Sequence, residues 1–473
     1  MTVDRFQRVI NISKPLAELF IANGKKLYLV GGAVRDLFVD GGVVPETVSG
    51  ASDLDDPKYD LDFTTDALPA EIEKIVVGRA EAMWLQGKRF GTVGVAMGGY
   101  RFEITTHRAE VYHSHSRKPK VTYSEDIQED LSRRDFTINA MALSLHTENP
   151  EMVDPFGGLD DLANRRLVTP LSPEISFSED PLRMLRAARF IARMSVDPAP
   201  ELVEAVCGMH DRLKIVSAER IRDEFDKLLT AKTPSPGLEF LVTTGLAQEF
   251  IPELPALELE QDPIHRHKDV LAHTIAVVDK TSPDRILRLS ALFHDVGKPA
   301  TKIITPQGVT FHHHDVVGAR MARERMRALK YSVQDIADVS DLVFLHLRFH
   351  TYQAGWTDSA VRRYVRDAGP LLDRLNELTL CDSTTRNQSK VLALRERMED
   401  LKARIAQLRE KEELGAIRPE INGDEVMKLL EVPPSPLVGE ALDFLLEIRL
   451  EEGLIGKDRA RERLLSWWQE KRS

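Results

Sequence analysis

The chain has 473 residues, of which 42% are hydrophobic and 29% charged, with a formal net charge of −11. That length predicts about two to four domains; no run approaches the roughly 18 apolar residues of a membrane span, and the opening MTVDRFQRVI lacks a signal peptide's layout. Two cysteines, Cys207 and Cys381, exclude a disulfide framework and fit a reducing cytoplasm, while the acidic balance argues against indiscriminate nucleic-acid binding without excluding a local basic surface.

In chain order, KLYLVGGAVRDLF (26–38) reads as an apolar strand over Leu27–Val30, a Gly31-Gly32 turn and a helix opening near Ala33. Paired glycines let backbone approach a ligand, and a following helix N-terminus favours phosphate; the same pair also makes an ordinary tight turn. YDLDFTTD (59–66) reads as a strand with Leu61 and Phe63 on one face and Asp60 and Asp62 on the other. Two carboxylates that close repel, so this is either a solvated strand face or a cation site with hard oxygen ligands suited to Mg²⁺. GTVGVAMGGYRFEITTHR (91–108) reads as a hairpin turning at Gly98-Gly99, with Arg101, Glu103 and Thr105 sharing one face of its second strand. Glu103 is thereby a candidate third carboxylate. Residues 109–130 read as a polar, turn-rich loop.

From about residue 166 the pattern is helical. In FSEDPLRMLRAARFIARM (177–194), Ser178 is the expected N-cap, Glu179 and Asp180 follow, and Pro181 stands in the first turn. Arg183, Arg186 and Arg189 then line one side, a pattern that suits a solvated face as well as a binding one. The Pro-rich FIPELPALELEQDP (250–263) reads as a boundary before a third helical region that carries most of the histidines. Leu394, Met398, Leu401, Ile405 and Leu408 step by four and three along a helix able to pair with another, and a small helical tail closes the chain.

Taken in order, LVGGAVRD (29–36), YDLDFTT (59–65), RRDFTINAMAL (133–143), DPFGGLDDL (154–162) and EDPLRMLRAARF (179–190) resemble the class II tRNA nucleotidyltransferases of the polymerase-β superfamily, the CCA-adding enzymes. The likeness spans roughly residues 15–230, and INGDEVMKLL with PPSPLVGEAL is similar to the tail of bacterial members. It implies an α+β fold: a polymerase-β-like head of mixed sheet and helices (1–165), an all-helical, nucleotide-selecting neck (166–258), an HD domain (259–388) and a helical, tRNA-binding tail (389–473). It implies that Asp60 and Asp62 are the catalytic pair holding Mg²⁺, and that Gly32, Arg35, Arg134, Arg186 and Arg189 bind the incoming nucleotide. Asp180 and Arg183, supported by Glu179, would act as a protein template, a carboxylate that accepts beside a guanidinium that donates. Such a pair matches cytosine and adenine and rejects uracil and guanine. Asp135 and Asn139 read as scaffolding.

HKDVLAHTIAVVD (267–279), LSALFHDVGKPATK (289–302), FHHHDVVGA (311–319) and LTLCDSTTRN (378–387) resemble the HD phosphohydrolase superfamily. The resemblance implies a ligand set of His273, His294, Asp295 and Asp382, with His314 and His346 as further ligands, suited to a divalent transition metal. The other reading is a retained fold used as a spacer or RNA-binding body. The expected partners are CTP, ATP and the acceptor arm and 3′ end of tRNA, read by helix shape and backbone. The basic stretch ARMARERMRALK (319–330) is a candidate for phosphate contacts, although a solvated face explains it better. Poly(A) polymerases and enzymes adding only CC or only A share these motifs. An HD phosphohydrolase with a degenerate RNA-binding head would not need the intact carboxylate pair.

Overall fold

The computed structural model describes residues 2–39, 60–85, 87–88, 91–111, 120–147, 149–259, 269–305, 308–352, 356–383, 387–412 and 417–472. Two compact units divide the chain, Met1–Glu224 with Pro236–Glu249, and Phe225–Ser235 with Phe250–Ser473. The expected head and most of the expected neck fall in the first unit, and the HD region and tail in the second. The architecture is α+β, with the main sheet confined to the first unit and helices dominating the second. Among the described residues no helix is long and apolar enough to cross a membrane.

The first unit's strands are β1 (Leu27–Val30), β2 (Asp60–Thr65), β3 (Ala82–Trp84), β4 (Thr92–Met97), β5 (Tyr100–Thr106), β6 (Arg108–Val111), β7 (Lys120–Tyr123), β8 (Ala142–Ser144) and β9 (Met152–Val153). Seven of them form one mixed sheet in the order β3-β4-β5-β2-β1-β8-β9, in which only β2 and β5 run parallel. Strand alternation gives the sheet two different faces. Leu29, Leu61, Phe63, Val93, Val95, Phe102 and Ile104 are buried on one, where helices α1 (Thr2–Ala22) and α2 (Pro69–Val76) add Leu16, Phe20, Ile72 and Val76. On the opposite face a smaller cluster of Tyr28, Val30, Leu131, Ala140 and Ala142 leaves room for polar side chains. Burial of the first face therefore sets the register of the second, because a slip by one residue would exchange them.

Residues 109–130, expected to be a loop, instead hold β6, β7 and the start of a helix at Ile127–Ser132. The segments RAEV and KVTY pair through backbone hydrogen bonds, which their polar side chains do not advertise; the stretch between them, 112–119, lies outside the described residues. A second difference falls at Pro181. Proline lacks an N–H and pushes the preceding residue out of the helical region. Accordingly the helix Pro173–Glu179 is capped by Ser172, Asp180 is extended (φ −138°), and a new helix runs over Leu182–Met194. Ser178 is thus inside a helix rather than its cap.

In the second unit, Leu394, Met398, Leu401, Ile405 and Leu408 are all buried on the helix Gln388–Glu412, as their spacing predicts. The tail packs Ile421, Val426, Leu430, Ala441, Leu445 and Leu464 around a small core of its own.

Gly158, from the DPFGGLDDL segment, supports the turn Thr137–Asn139 so closely that a Cβ would lie 2.2 Å from the Thr137 carbonyl oxygen and 2.8 Å from Met141 Cγ. The obstacle is backbone, so relief requires moving the turn. Gly158→Ala is expected to cost about 3 kcal/mol, read as a lower urea midpoint; a change below about 0.5 kcal/mol would show that the turn yields freely.

Candidate active site and metal centre

The site of the first unit begins at the end of β1. Gly31 has φ +73°, which favours glycine, and a Cβ there would lie 3.1 Å from Arg134 Nη1 and 3.8 Å from Asp62 Oδ2. The bare turn thus lets a guanidinium and a carboxylate flank the same backbone. Asp62 is exposed on the open sheet face and stands in register with Glu103 on β5. Paired residues of neighbouring strands share a face, so these two carboxylates are neighbours. Asp60 stands in register with Arg101; its side chain lies outside the described residues. A pocket of about 350 Å³ opens here, lined by Asp62, Asp130, Arg108, Arg133, Arg134 and Arg183 among others.

The expected nucleotide-binding arginines divide into two kinds. Arg134 lines the pocket and donates to Asp130 Oδ2 at 3.3 Å. Arg35, by contrast, is buried, with Nε on Asp36 at 2.8 Å and Nη1 on Asn139 Oδ1 at 2.6 Å, and Gly32 packs against its guanidinium. Asn139 in turn donates to Asp135 Oδ1 at 3.0 Å, which also accepts the Phe136 N–H. Arg186 Nε donates to Asp135 Oδ2 at 2.8 Å. Burial alone would raise the Asp135 pKa, but the Arg186 charge together with the hydrogen bonds from Asn139, Arg186 and the Phe136 N–H holds the carboxyl below the usual range. That stabilisation is present at neutral pH and is lost as pH falls through the depressed value.

Arg186 and Arg189 also face Glu224, at 3.7 Å (Nη1) and 3.1 Å (Nε). Burial pushes Arg189 down to about 10 despite that carboxylate. Glu224 is buried on the helix Ala218–Leu229 beside the buried Ile221, Phe225 and Leu228. Sequence reasoning passed over it, although a carboxylate within an apolar helical stripe is a signal that a buried cation faces it.

Asp180 and Arg183 straddle the Pro181 break rather than sharing one helix face, and each has its own partner. Asp180 Oδ2 accepts Arg220 Nη2 at 2.8 Å and its Oδ1 accepts the Leu182 N–H at 3.2 Å. Arg183 donates to Ser176 Oγ at 2.9 Å, to Glu179 Oε2 at 3.2 Å and to the Arg133 carbonyl, while also lining the pocket. Arg108 and Arg220 had no motif to mark them, and Arg133, although it opens RRDFTINAMAL, was not singled out.

The second unit gathers all six of the expected metal ligands. His273 Nε2 lies 3.0 Å from Asp382 Oδ1, 3.3 Å from His294 Nε2 and 3.6 Å from Asp295 Oδ2. His314 Nε2 lies 3.4 Å from Asp295 Oδ1, and His346 belongs to the same group. His294, His314 and His346 each donate Nδ1–H to a backbone carbonyl, of Ala291, Phe311 and Val343, at 2.7, 2.8 and 2.5 Å. A carbonyl only accepts, so the proton is fixed on Nδ1 and Nε2 is left to ligate. Among the described residues, Nε2 of His314 and His346 is buried with no hydrogen-bond partner. Asp295 and Asp382 overcome burial to push His294 up to about 10, whereas burial and His294 push His346 down to about 4. The donor set fits a divalent ion, with a cation replacing the proton that His294 would otherwise carry.

Three family models match the chain. A Poly A polymerase head domain matches residues 27–168, a probable RNA and SrmB-binding site of polymerase A matches 196–257, and an HD domain matches 269–409. The A-adding tRNA nucleotidyltransferase of Deinococcus radiodurans is 32% identical over 410 residues, covering 79% of this chain and 91% of that protein. The chain belongs to the tRNA nucleotidyltransferase family. CCA-adding enzymes of Lactobacillus delbrueckii subsp. bulgaricus and Bacillus licheniformis are 36% and 38% identical over 250 and 245 residues, about half of this chain (53% and 52%). The matched region spans only 58% and 55% of those two proteins. Among solved structures, the Bacillus stearothermophilus CCA-adding enzyme in complex with CTP shares the fold, with a TM-score of 0.67 at 22% identity over 99% of this chain and 98% of that one.

Glu224→Gln removes the carboxylate that faces the guanidiniums of Arg186 and Arg189. It is expected to cost about 3 kcal/mol in a denaturant melt; a loss under about 1 kcal/mol would mean that the arginines find other acceptors.

Proposed function

We propose that the protein is a CTP(ATP):tRNA nucleotidyltransferase that builds or repairs the 3′-terminal CCA of tRNA in the cytoplasm. The observation that carries this is the pocket in which Asp62, in register with Glu103, faces a wall of guanidiniums. The RNA 3′-hydroxyl attacks the α-phosphorus, the α–β bridging bond breaks, and pyrophosphate leaves. Asp60 and Asp62 would hold Mg²⁺, with Glu103 as the third carboxylate; the oxygen donors on a rigid strand suit that ion. Divalent ions held there would lower the pKa of the attacking hydroxyl and neutralise charge on the leaving oxygens. Arg134 orients the triphosphate, while Arg35, Arg186 and Arg189 keep the pocket wall in place from behind. Asp180 and Arg183 read the base from either side of the Pro181 break, exchanging their protein partners for the exocyclic amine and ring nitrogen of cytosine or adenine.

A CTP-bound and a tRNA-bound CCA-adding enzyme are among the proteins sharing this fold, which supports both partners. Addition of A alone is the second reading, because the Deinococcus radiodurans relative that aligns over most of its length is an A-adding enzyme. The HD cluster would hold a divalent transition metal and could hydrolyse phosphoesters. The helix Gln388–Glu412 and the tail after it form the proposed tRNA-binding part.

The test is to offer tRNA lacking CCA with labelled CTP and ATP and read product lengths. Three added residues in the order C, C, A support CCA addition; a single A added only to tRNA ending in CC supports the second reading; long A tracts would contradict both. Asp62→Ala is expected to lower addition at least about 1,000-fold with tRNA binding retained, and robust addition in Mg²⁺ would overturn the assignment. His294→Ala with Asp295→Ala is expected to abolish bound metal in the HD unit, measured by elemental analysis, without stopping nucleotide addition. A folded double variant unable to add CTP would show that the two centres are not independent.

A further inference from the structure

We propose that Arg108 binds the β- and γ-phosphates of the incoming nucleoside triphosphate, and so the pyrophosphate that leaves. The inference rests on the nucleotidyltransferase reading. Three observations carry it. Arg108 lines the same pocket as Asp62, yet belongs to none of the motifs that mark the site. Its guanidinium is also held in position: Nη2 donates to Thr92 Oγ1 at 3.2 Å, and Thr92 Oγ1 is bonded to Thr105 Oγ1 at 2.9 Å. Gly91, at φ +85°, runs alongside this guanidinium, its Cβ position lying in ordinary contact distance, 3.6 Å, of Arg108 Nε. The backbone is indexed as well. Asp130 accepts the Arg108 N–H through Oδ1 (3.3 Å) and Arg134 Nη2 through Oδ2 (3.3 Å), so one carboxylate fixes both arginines relative to each other.

The third observation is charge. Among the described residues lining the pocket, four guanidiniums, of Arg108, Arg133, Arg134 and Arg183, stand against two carboxylates, Asp62 and Asp130. A surplus of positive charge in a cavity of one-nucleotide size suits a polyanionic triphosphate better than a single phosphodiester. Thr92 and Thr105 lie two strand positions beyond the row holding Glu103 and Asp62, roughly 7 Å along the strands. The α-phosphorus can therefore sit at the carboxylates while the terminal phosphates reach the Arg108 fork, whose planar donors match phosphate oxygens.

The experiment compares full-length wild type with Arg108→Ala, Arg108→Lys and Thr92→Val. Steady-state kinetics on tRNA lacking CCA give KM for CTP, ATP and tRNA, and magnesium pyrophosphate serves as product inhibitor and as a ligand in direct calorimetry. Arg108→Ala is expected to raise KM for both triphosphates and weaken pyrophosphate binding about ten- to hundredfold, leaving KM for tRNA within about twofold. Arg108→Lys should fall between, keeping charge without the fork. Thr92→Val should shift pyrophosphate affinity in the same direction by a smaller factor, which identifies Thr92 as a positioning residue. Unchanged pyrophosphate affinity in both Arg108 variants overturns the proposal. So does a rise confined to KM for tRNA, which would assign Arg108 to the RNA backbone. If wild type adds nothing to tRNA, the functional reading fails, whereas the calorimetric comparison still decides the role of Arg108.

Discussion

Much of the first unit hangs on one desolvated carboxylate. Asp135 is buried, and a charge taken out of water persists only where paired and fully hydrogen-bonded. Its two oxygens serve different parts of the chain: Oδ1 takes the Phe136 N–H and the Asn139 amide, and Oδ2 takes Arg186 from the helix Leu182–Met194. Asn139 passes the connection to Arg35, which stands directly behind the Gly31-Gly32 turn. The glycine turn, the Thr137–Asn139 turn and the arginine helix are thereby held in one arrangement; Gly31 lies beside Arg134 and Asp62, and the helix sends Arg183 into the lining of the Asp62 pocket.

The consequence for the motif arginines is a division of labour. Arg35, Arg186 and Arg189 are paired with Asp36, Asn139, Asp135 and Glu224, and none of the three is among the described residues that line the pocket. Arg108, Arg133 and Arg134 line the cavity itself. Arg183 does both. The HD centre uses the same economy of fixed partners with different chemistry, where backbone carbonyls hold three imidazole Nδ1 protons and turn the Nε2 atoms inward.

What the sequence made legible follows from what leaves a local signature. Alternation exposed the two faces of β2 and β5, and the step of four and three exposed the buried stripe of the helix Gln388–Glu412. The resemblance to the HD superfamily, carried by four histidine- and aspartate-bearing segments, named the six side chains that gather in the second unit. Contacts made across sequence distance left no such mark. Glu224 meets Arg189 from another helix, and Arg108 reaches the pocket from the end of the run read as a hairpin, at the start of a short strand whose remainder reads as loop. The break at Pro181 was marked by the proline, but Glu179 and Asp180 before it look equally like the first turn of a helix. Only the extended backbone of Asp180 separates the two readings.

The dependence of the first unit on Asp135 is most directly measured by a double-mutant cycle. Asp135→Asn, Arg186→Gln and the double variant would be unfolded in urea at neutral pH, and again in acid near the carboxylate range. A buried, charge-assisted pair should give a coupling of about 1.5–3 kcal/mol at neutral pH that shrinks in acid as Asp135 takes up its proton. Losses that add to within about 0.5 kcal/mol at both pH values would mean that the two residues act independently and that the site is held together elsewhere.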